Sequence, residues 1–217
     1  VESIFSFLSS NGSELLFKIW EHIYISLIAA SLGIIVAVPL GVLLTRIPKF
    51  ANAVMGVLSI VQTFPSFAIL AFLIPLFGIG KVPAIIALFI YSVLPILRNT
   101  YIGVSGLDRD LLEAASAMGM TQWEKVIYVE LPLAIPVIMT GIRVSTVYLI
   151  GWATLAAYIG GGGLGDYIFS GLNLHRADFI IAGAIPVTIL ALFTDLFLGR
   201  IEGKVTPTGM KKLKDAN

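Results

Sequence analysis

An all-α, polytopic membrane fold with about five transmembrane helices is predicted by three features of the sequence. They are its composition, a series of apolar stretches long enough to cross a bilayer, and a one-sided placement of cationic side chains. Hydrophobic residues fill 58% of the 217 positions and charged residues only 12%, with a mean hydropathy of +0.97. A soluble domain has about 25% charged residues, so that class is excluded. The net charge of +1 leaves no electrostatic footprint for nucleic acid apart from a Lys-rich tail. Zero cysteines remove disulfides and thiolate metal sites together. The chain starts Val-Glu without the positive region of a secretory signal, so no cleaved segment is expected.

A hydrocarbon core about 30 Å thick needs roughly 20 apolar residues per helix. Five stretches meet that need: Ile23 to Leu44, Ala53 to Phe77, Val82 to Leu97, Leu133 to Tyr158 and Phe179 to Leu198. The first carries Ala29, Gly33, Ala37 and Gly41 four apart on one face. Such a stripe predicts close helix packing, internally or against a partner subunit. Pro39 predicts a kink in the same span.

The second span is interrupted by Gln62-Thr63-Phe64-Pro65-Ser66-Phe67. A proline ring removes one backbone hydrogen bond, and polar groups at membrane depth need protein or water to satisfy them. Gln62, Thr63, Phe64, Pro65 and Ser66 are therefore candidates for a translocation pathway. A proline kink satisfied by neighbouring helices is the plain alternative, and for Thr63 and Ser66 it has equal weight. Tyr91, Pro95 and the Arg98-Asn99-Thr100 end of the short third span extend the candidate path; an arginine at Arg98's place is more often just an interfacial anchor.

Between the third and fourth spans lies a polar stretch over about residues 108–132. Asp110 is placed as an N-cap with Glu113 three residues on, and Gly119 is placed to end a helix of about two turns. Thr121 with Glu124 repeats the capping-box spacing, so Gly119 and Met120 form the corner of a helical hairpin. Ala114, Ala115 and Ala117 make its first helix thin-walled, with Arg109 and Glu113 at the rim. A solvated loop whose alanines only favour helix is the alternative.

Ten of the 14 Lys and Arg residues (Arg46, Lys49, Arg98, Arg109, Lys125, Arg200, Lys204, Lys211, Lys212 and Lys214) fall on one side of these spans. Lys18, Lys81 and Arg176 fall on the other, and Arg143 lies inside the fourth. The positive-inside rule places the ten in the cytoplasm, the N-terminus outside and the C-terminus inside. Arg143 and Asp195 are near cytoplasmic span ends, where each can snorkel; a mutual ion pair is the sharper alternative.

Gly160-Gly161-Gly162-Gly163-Leu164-Gly165 contains a G-x-G-x-x-G pattern but follows a span instead of a strand, so no dinucleotide site is read there. Gly160, Gly161, Gly162 and Gly163 are read as an outer turn, flexible or tightly packed, that gates access or meets an external protein. A sixth span or a re-entrant segment from Gly160 to Leu172 stays open. His22 and His175 read as isolated outer residues, with no metal site implied. No nucleophile-base pair, carboxylate pair or ATP-binding motif is present, so energy must come from elsewhere.

Glu113, Ala114, Ala115 and Gly119, with the later Ile127, Leu131 and Pro132, match the EAA loop of the permease subunits of bacterial ABC importers. The segments 62–66, 94–100, 130–138 and 159–165 resemble the osmoprotectant importers for glycine betaine, carnitine or choline. Phe64 departs from the aliphatic residue common there. The resemblance implies a single permease domain over residues 1–217 whose cytoplasmic EAA hairpin, through Glu113, Ala114, Ala115, Ala117, Met118 and Gly119, docks on an ATPase dimer. It further implies a second permease subunit, identical or paralogous, an extracellular substrate-binding protein, a small-molecule substrate, contact with membrane lipid, no cofactor, and no ATP hydrolysis by this chain. A permease for methionine or another amino acid would keep the same loop. A non-transporting receptor or scaffold would not need it.

Overall fold

The computed structural model describes the backbone of residues 2–207 and the side chains of residues 10–207. Val1 and the tail with Lys211, Lys212 and Lys214 lie outside the described residues. Among the described residues the regular elements are all helical. Among the same residues four helical stretches are long and apolar enough to cross a membrane, and a bent helix pair, taken as one span, makes a fifth.

Helix α1 (Glu2–Leu44) begins well before the expected first span and contains Pro39 without interruption. Its small-residue stripe is used internally, against α4 (Lys81–Ser105). A Cβ on Gly33 would overlap the Ser92 hydroxyl, and one on Gly41 would stand 2.7 Å from Thr100 Cβ. Lipid tails are as apolar as leucine, so this intimate contact, and not hydrophobic exclusion, holds the two helices together.

The second expected span is not one straight helix. Helix α2 (Pro48–Thr63) and helix α3 (Ser66–Phe77) meet at 95° across Phe64 and Pro65. Pro65 has no N–H for the ladder, and it biases the residue before it to extended backbone, as Phe64 shows with φ −65° and ψ 136°.

Helix α4 runs past Leu97, where the polar Arg98-Asn99-Thr100 was expected to end it. These residues are tolerated because the Asn99 amide donates to the Pro95 carbonyl at 2.8 Å and the Thr100 hydroxyl to Ile96 at 2.8 Å. Beyond it come helix α5 (Arg109–Ala117), helix α6 (Gln122–Lys125), a π-helical turn (Val126–Glu130) and helix α7 (Leu131–Trp152). A 3-10 segment (Ala153–Ile159) leads into the glycine turn and helix α8 (Gly165–Leu174). At 10 residues, α8 is about 15 Å long and too short to be a sixth span.

Helix α9 (Ala177–Val205) packs on α7 and α8. Of the two readings of Arg143 and Asp195, the ion pair is the one formed: Nε reaches Oδ1 at 2.6 Å and Nη2 reaches Oδ2 at 2.7 Å. Glu202 adds a longer contact at 3.6 Å, and the guanidinium lies across Gly199.

Candidate functional site

The hairpin forms as its caps dictate, with one correction. Asp108, not Asp110, is the N-cap of α5: its carboxylate accepts the Asp110 backbone N–H at 3.0 Å. The two aspartates are two residues apart, and the earlier one takes the extended backbone an N-cap requires. Gly119 ends the first arm at φ +83°, a left-handed conformation. Thr121 opens the second arm with a complete capping box, its N–H donating to Glu124 at 2.7 Å. Lys125 then donates to the Ser116 hydroxyl at 3.0 Å, tying arm to arm. Glu113, Ala114, Ala117, Met118 and Gly119 are exposed, and only Ala115 is buried. The corner is a thin-walled surface whose tip, Met118, is 72% exposed.

Around Pro65 the structure brings four of the candidate pathway residues together. The Gln62 amide donates to the Tyr91 carbonyl at 3.0 Å, and the Tyr91 hydroxyl donates to the Phe64 carbonyl at 2.8 Å. Ser66 and Tyr91 line one small pocket with Trp152, whose ring is 4.6 Å from that of Tyr91. Pro65 is exposed at the bend itself. Thr63 turns its hydroxyl back to Ile60 at 2.7 Å, and Asn99 lies two turns further along α4, bonded within its own helix. Trp152 was missed in the sequence, where a tryptophan at the end of an apolar run looks like an interfacial anchor.

At the opposite end, the glycine turn is tightly packed. Gly161, Gly162 and Gly163 are buried, and Gly160 is exposed. Two neighbouring side chains of α1 hold the turn: Glu21 accepts the Gly163 N–H at 3.2 Å, and His22 Nδ1 accepts the Leu164 N–H at 3.4 Å. His22 is therefore not isolated. It is fully buried, and its Nε2 lies 2.8 Å from the Ile150 carbonyl, which fixes the tautomer with the proton on Nε2. Lys81 neutralises Glu21 at 2.6 Å, while Lys18 bridges Glu21 and Asp166. His175 ends α8 in a left-handed conformation at φ +54° and is exposed. Among the described residues no group of three or more His, Cys, Asp or Glu side chains could hold a metal ion.

A bent apolar span, a polar hairpin between the third and fourth spans and up to five spans describe a polytopic membrane fold, and comparison with known proteins decides the family. Residues 16–207 match the family described as binding-protein-dependent transport system inner membrane component. The chain belongs to that family. This inner membrane component is 63% identical over 217 residues to the glycine betaine/carnitine/choline transport system permease protein OpuCB of Bacillus subtilis (strain 168), covering 100% of both chains. It is 64% identical to the choline transport system permease protein OpuBB of the same organism, covering 98% of each. The carnitine transport permease protein OpuCB of Listeria monocytogenes is 58% identical over 99% of each chain. In fold it is similar to a chain of the inward-facing MetNI methionine ABC transporter, with a TM-score of 0.82 at 24% identity, over 89% of this chain and 96% of that one. The inner membrane component is thus a multi-pass plasma-membrane permease subunit that works with a substrate-binding protein and an ATPase.

Proposed function

We propose that this permease carries quaternary-amine osmoprotectants of the glycine betaine, carnitine and choline class into the cytoplasm. Full-length identity near 60% to permeases named for those substrates carries the reading. The likeness to the methionine transporter is one of fold, at 24% identity, and favours no amino-acid substrate. In the assembled importer two permease subunits line the path, and each presents its hairpin to one ATPase in the cytoplasm, with the N-terminus outside and the C-terminus inside. Docking uses the exposed face of Glu113, Ala114, Ala117, Met118 and Gly119, with Ala115 packed behind it. The capping box and the Lys125–Ser116 bond support a hairpin that moves as one body.

ATP-driven closure shifts the two hairpins and exchanges inward-open for outward-open states, which requires that ATP bind those states with different affinity. The path runs past the Pro65 bend, where Gln62, Phe64, Ser66 and Tyr91 meet. Thr63 and Asn99 border it, and the Gly160–Gly163 turn closes its outer side. The candidate path residues include no carboxylate, which suits a zwitterion that must be released as well as bound.

The test is uptake of labelled glycine betaine by cells lacking their own osmolyte importers and supplied with the complete transporter, carrying native Gly119 or Gly119→Asp. Uptake lost in the variant with the protein still in the membrane supports substrate class and docking together. Native uptake in the variant removes the docking assignment, and competition by methionine but not choline removes the substrate class.

A further inference from the structure

The ion pair between Arg46 and Glu130 has no part in the docking surface or the path, yet it joins the regions where each begins. Arg46 Nη2 lies 2.6 and 2.5 Å from the two Glu130 carboxylate oxygens, across 84 residues of sequence. Glu130 is buried, its side chain 2% exposed, whereas Arg46 is 40% exposed. Glu130 closes the π-helical turn between the hairpin and α7. Such turns are rare and concentrate at functional sites because the extra residue re-aims the side chains beyond it. Arg46 occupies the corner between α1 and α2, where its N–H bonds to the Leu43 carbonyl at 3.0 Å. Helix α2 runs from that corner to the Pro65 bend and the Gln62–Tyr91 bond.

Close packing joins the α1–α2 corner to the start of α7, where Leu44, Ala51, Leu131 and Ala134 share one apolar cluster, but leaves α1 apart from the outgoing arm of the hairpin. Between α1 and the outgoing arm of the hairpin lies a groove of about 520 Å³ lined by Val38, Val42, Leu43, Trp123 and Ile127. Parting a buried carboxylate from its cation leaves an uncompensated charge, a cost that favours the two ends moving together.

We propose that Arg46 and Glu130 form a strut that delivers displacement of the hairpin through the α1–α2 corner and along α2 to the Pro65 bend. The inference rests on the hairpin reading above and adds to it a route from the hairpin to the path. Both are positioning residues: neither touches substrate or nucleotide.

The chain has no cysteine, so an engineered pair supplies the only thiols of this subunit. The full transporter, with its ATPase and binding protein, is placed in liposomes and labelled betaine uptake is measured per ATP hydrolysed. Arg46→Ala is expected to lower that ratio by about fivefold or more while hydrolysis continues. The double variant Arg46→Cys/Glu130→Cys shows the same loss, and joining its thiols with a short bifunctional reagent restores the ratio. A native ratio in Arg46→Ala overturns the strut, as does a cross-link that arrests uptake. Should Arg46→Ala fail to reach the membrane, the cross-linked pair decides alone. Gly119→Asp separates the two readings: uncoupling there with native coupling in Arg46→Ala removes only the strut, and native coupling in Gly119→Asp removes the hairpin reading and the strut with it.

Discussion

The hydroxyl of Tyr91 donates to the carbonyl of Phe64 at 2.8 Å, closing a polar gap that Pro65 opens between two helices. Phe64 belongs to neither α2 nor α3, so no helical N–H serves its carbonyl. Tyr91→Phe keeps the ring against Trp152 and removes only the bond. Leaving an acceptor unsatisfied costs about 1–3 kcal/mol. Thermal denaturation of the solubilised transporter is expected at a lower midpoint, with reduced uptake; an unchanged midpoint would show that the bend does not depend on Tyr91.

Arg143 and Asp195 are held in a bidentate pair between α7 and α9. Removing Asp195 alone leaves the Arg143 guanidinium near lipid with only the longer Glu202 contact, and removing both members of the bidentate pair leaves no guanidinium to compensate. Asp195→Leu is therefore expected to be less stable than Arg143→Leu/Asp195→Leu. Comparing membrane levels and denaturation midpoints of the single and double variants checks the order, and the reverse ranking refutes it.

A side chain at Gly162 faces two obstacles. Its φ of +80° lies in the left-handed region, and a Cβ would stand 2.5 Å from a Glu21 carboxylate oxygen. The backbone conformation alone costs roughly 1–2 kcal/mol, and the displaced carboxylate would lose its bond to Gly163. Gly162→Ala should loosen the turn, read as faster protease cleavage between Ile159 and Gly165. Gly56→Ala, in α2 with nothing within 4 Å of its Cβ, is the matched control and should behave as native.

Thr121 caps the second arm of the hairpin through its hydroxyl, which accepts the Glu124 N–H at 3.3 Å. Thr121→Ala is expected to cost about 0.5–2 kcal/mol of local stability. Hydrogen exchange of residues 122–125 should quicken while the exchange of α4 stays native. Thr121→Ser should recover most of the protection, since it keeps the hydroxyl.

The hairpin was legible in the sequence because its determinants are local: Gly119, Thr121 and Glu124 act within one turn of where they stand. Asp108 shows the limit even there, since Asp108 and Asp110 are both cap-forming residues and only the backbone chooses between them. The 95° bend was half legible. Pro65 announced a break, but hydropathy treats α2 and α3 as one apolar run, and the angle depends on what Tyr91 and Gln62 offer from elsewhere in the chain. The Glu21–Gly163 and His22–Leu164 bonds were illegible, because 142 residues separate the partners and no period connects them. Arg46 and Glu130 escaped for the same reason; the π-helical turn that presents Glu130 has no residue signature of its own.

The distance along the chain between Arg143 and Asp195 also bears on biogenesis. During synthesis Arg143 leaves the ribosome 52 residues ahead of the carboxylate it pairs with. Until α9 emerges, the guanidinium must wait in interfacial water, because an unpaired cation is costly within hydrocarbon. The pair therefore completes only when the last helix has entered the bilayer. A chain truncated before Asp195 would present an uncompensated arginine at the membrane surface, so the last helix completes the charge balance of the fourth span as well as the packing.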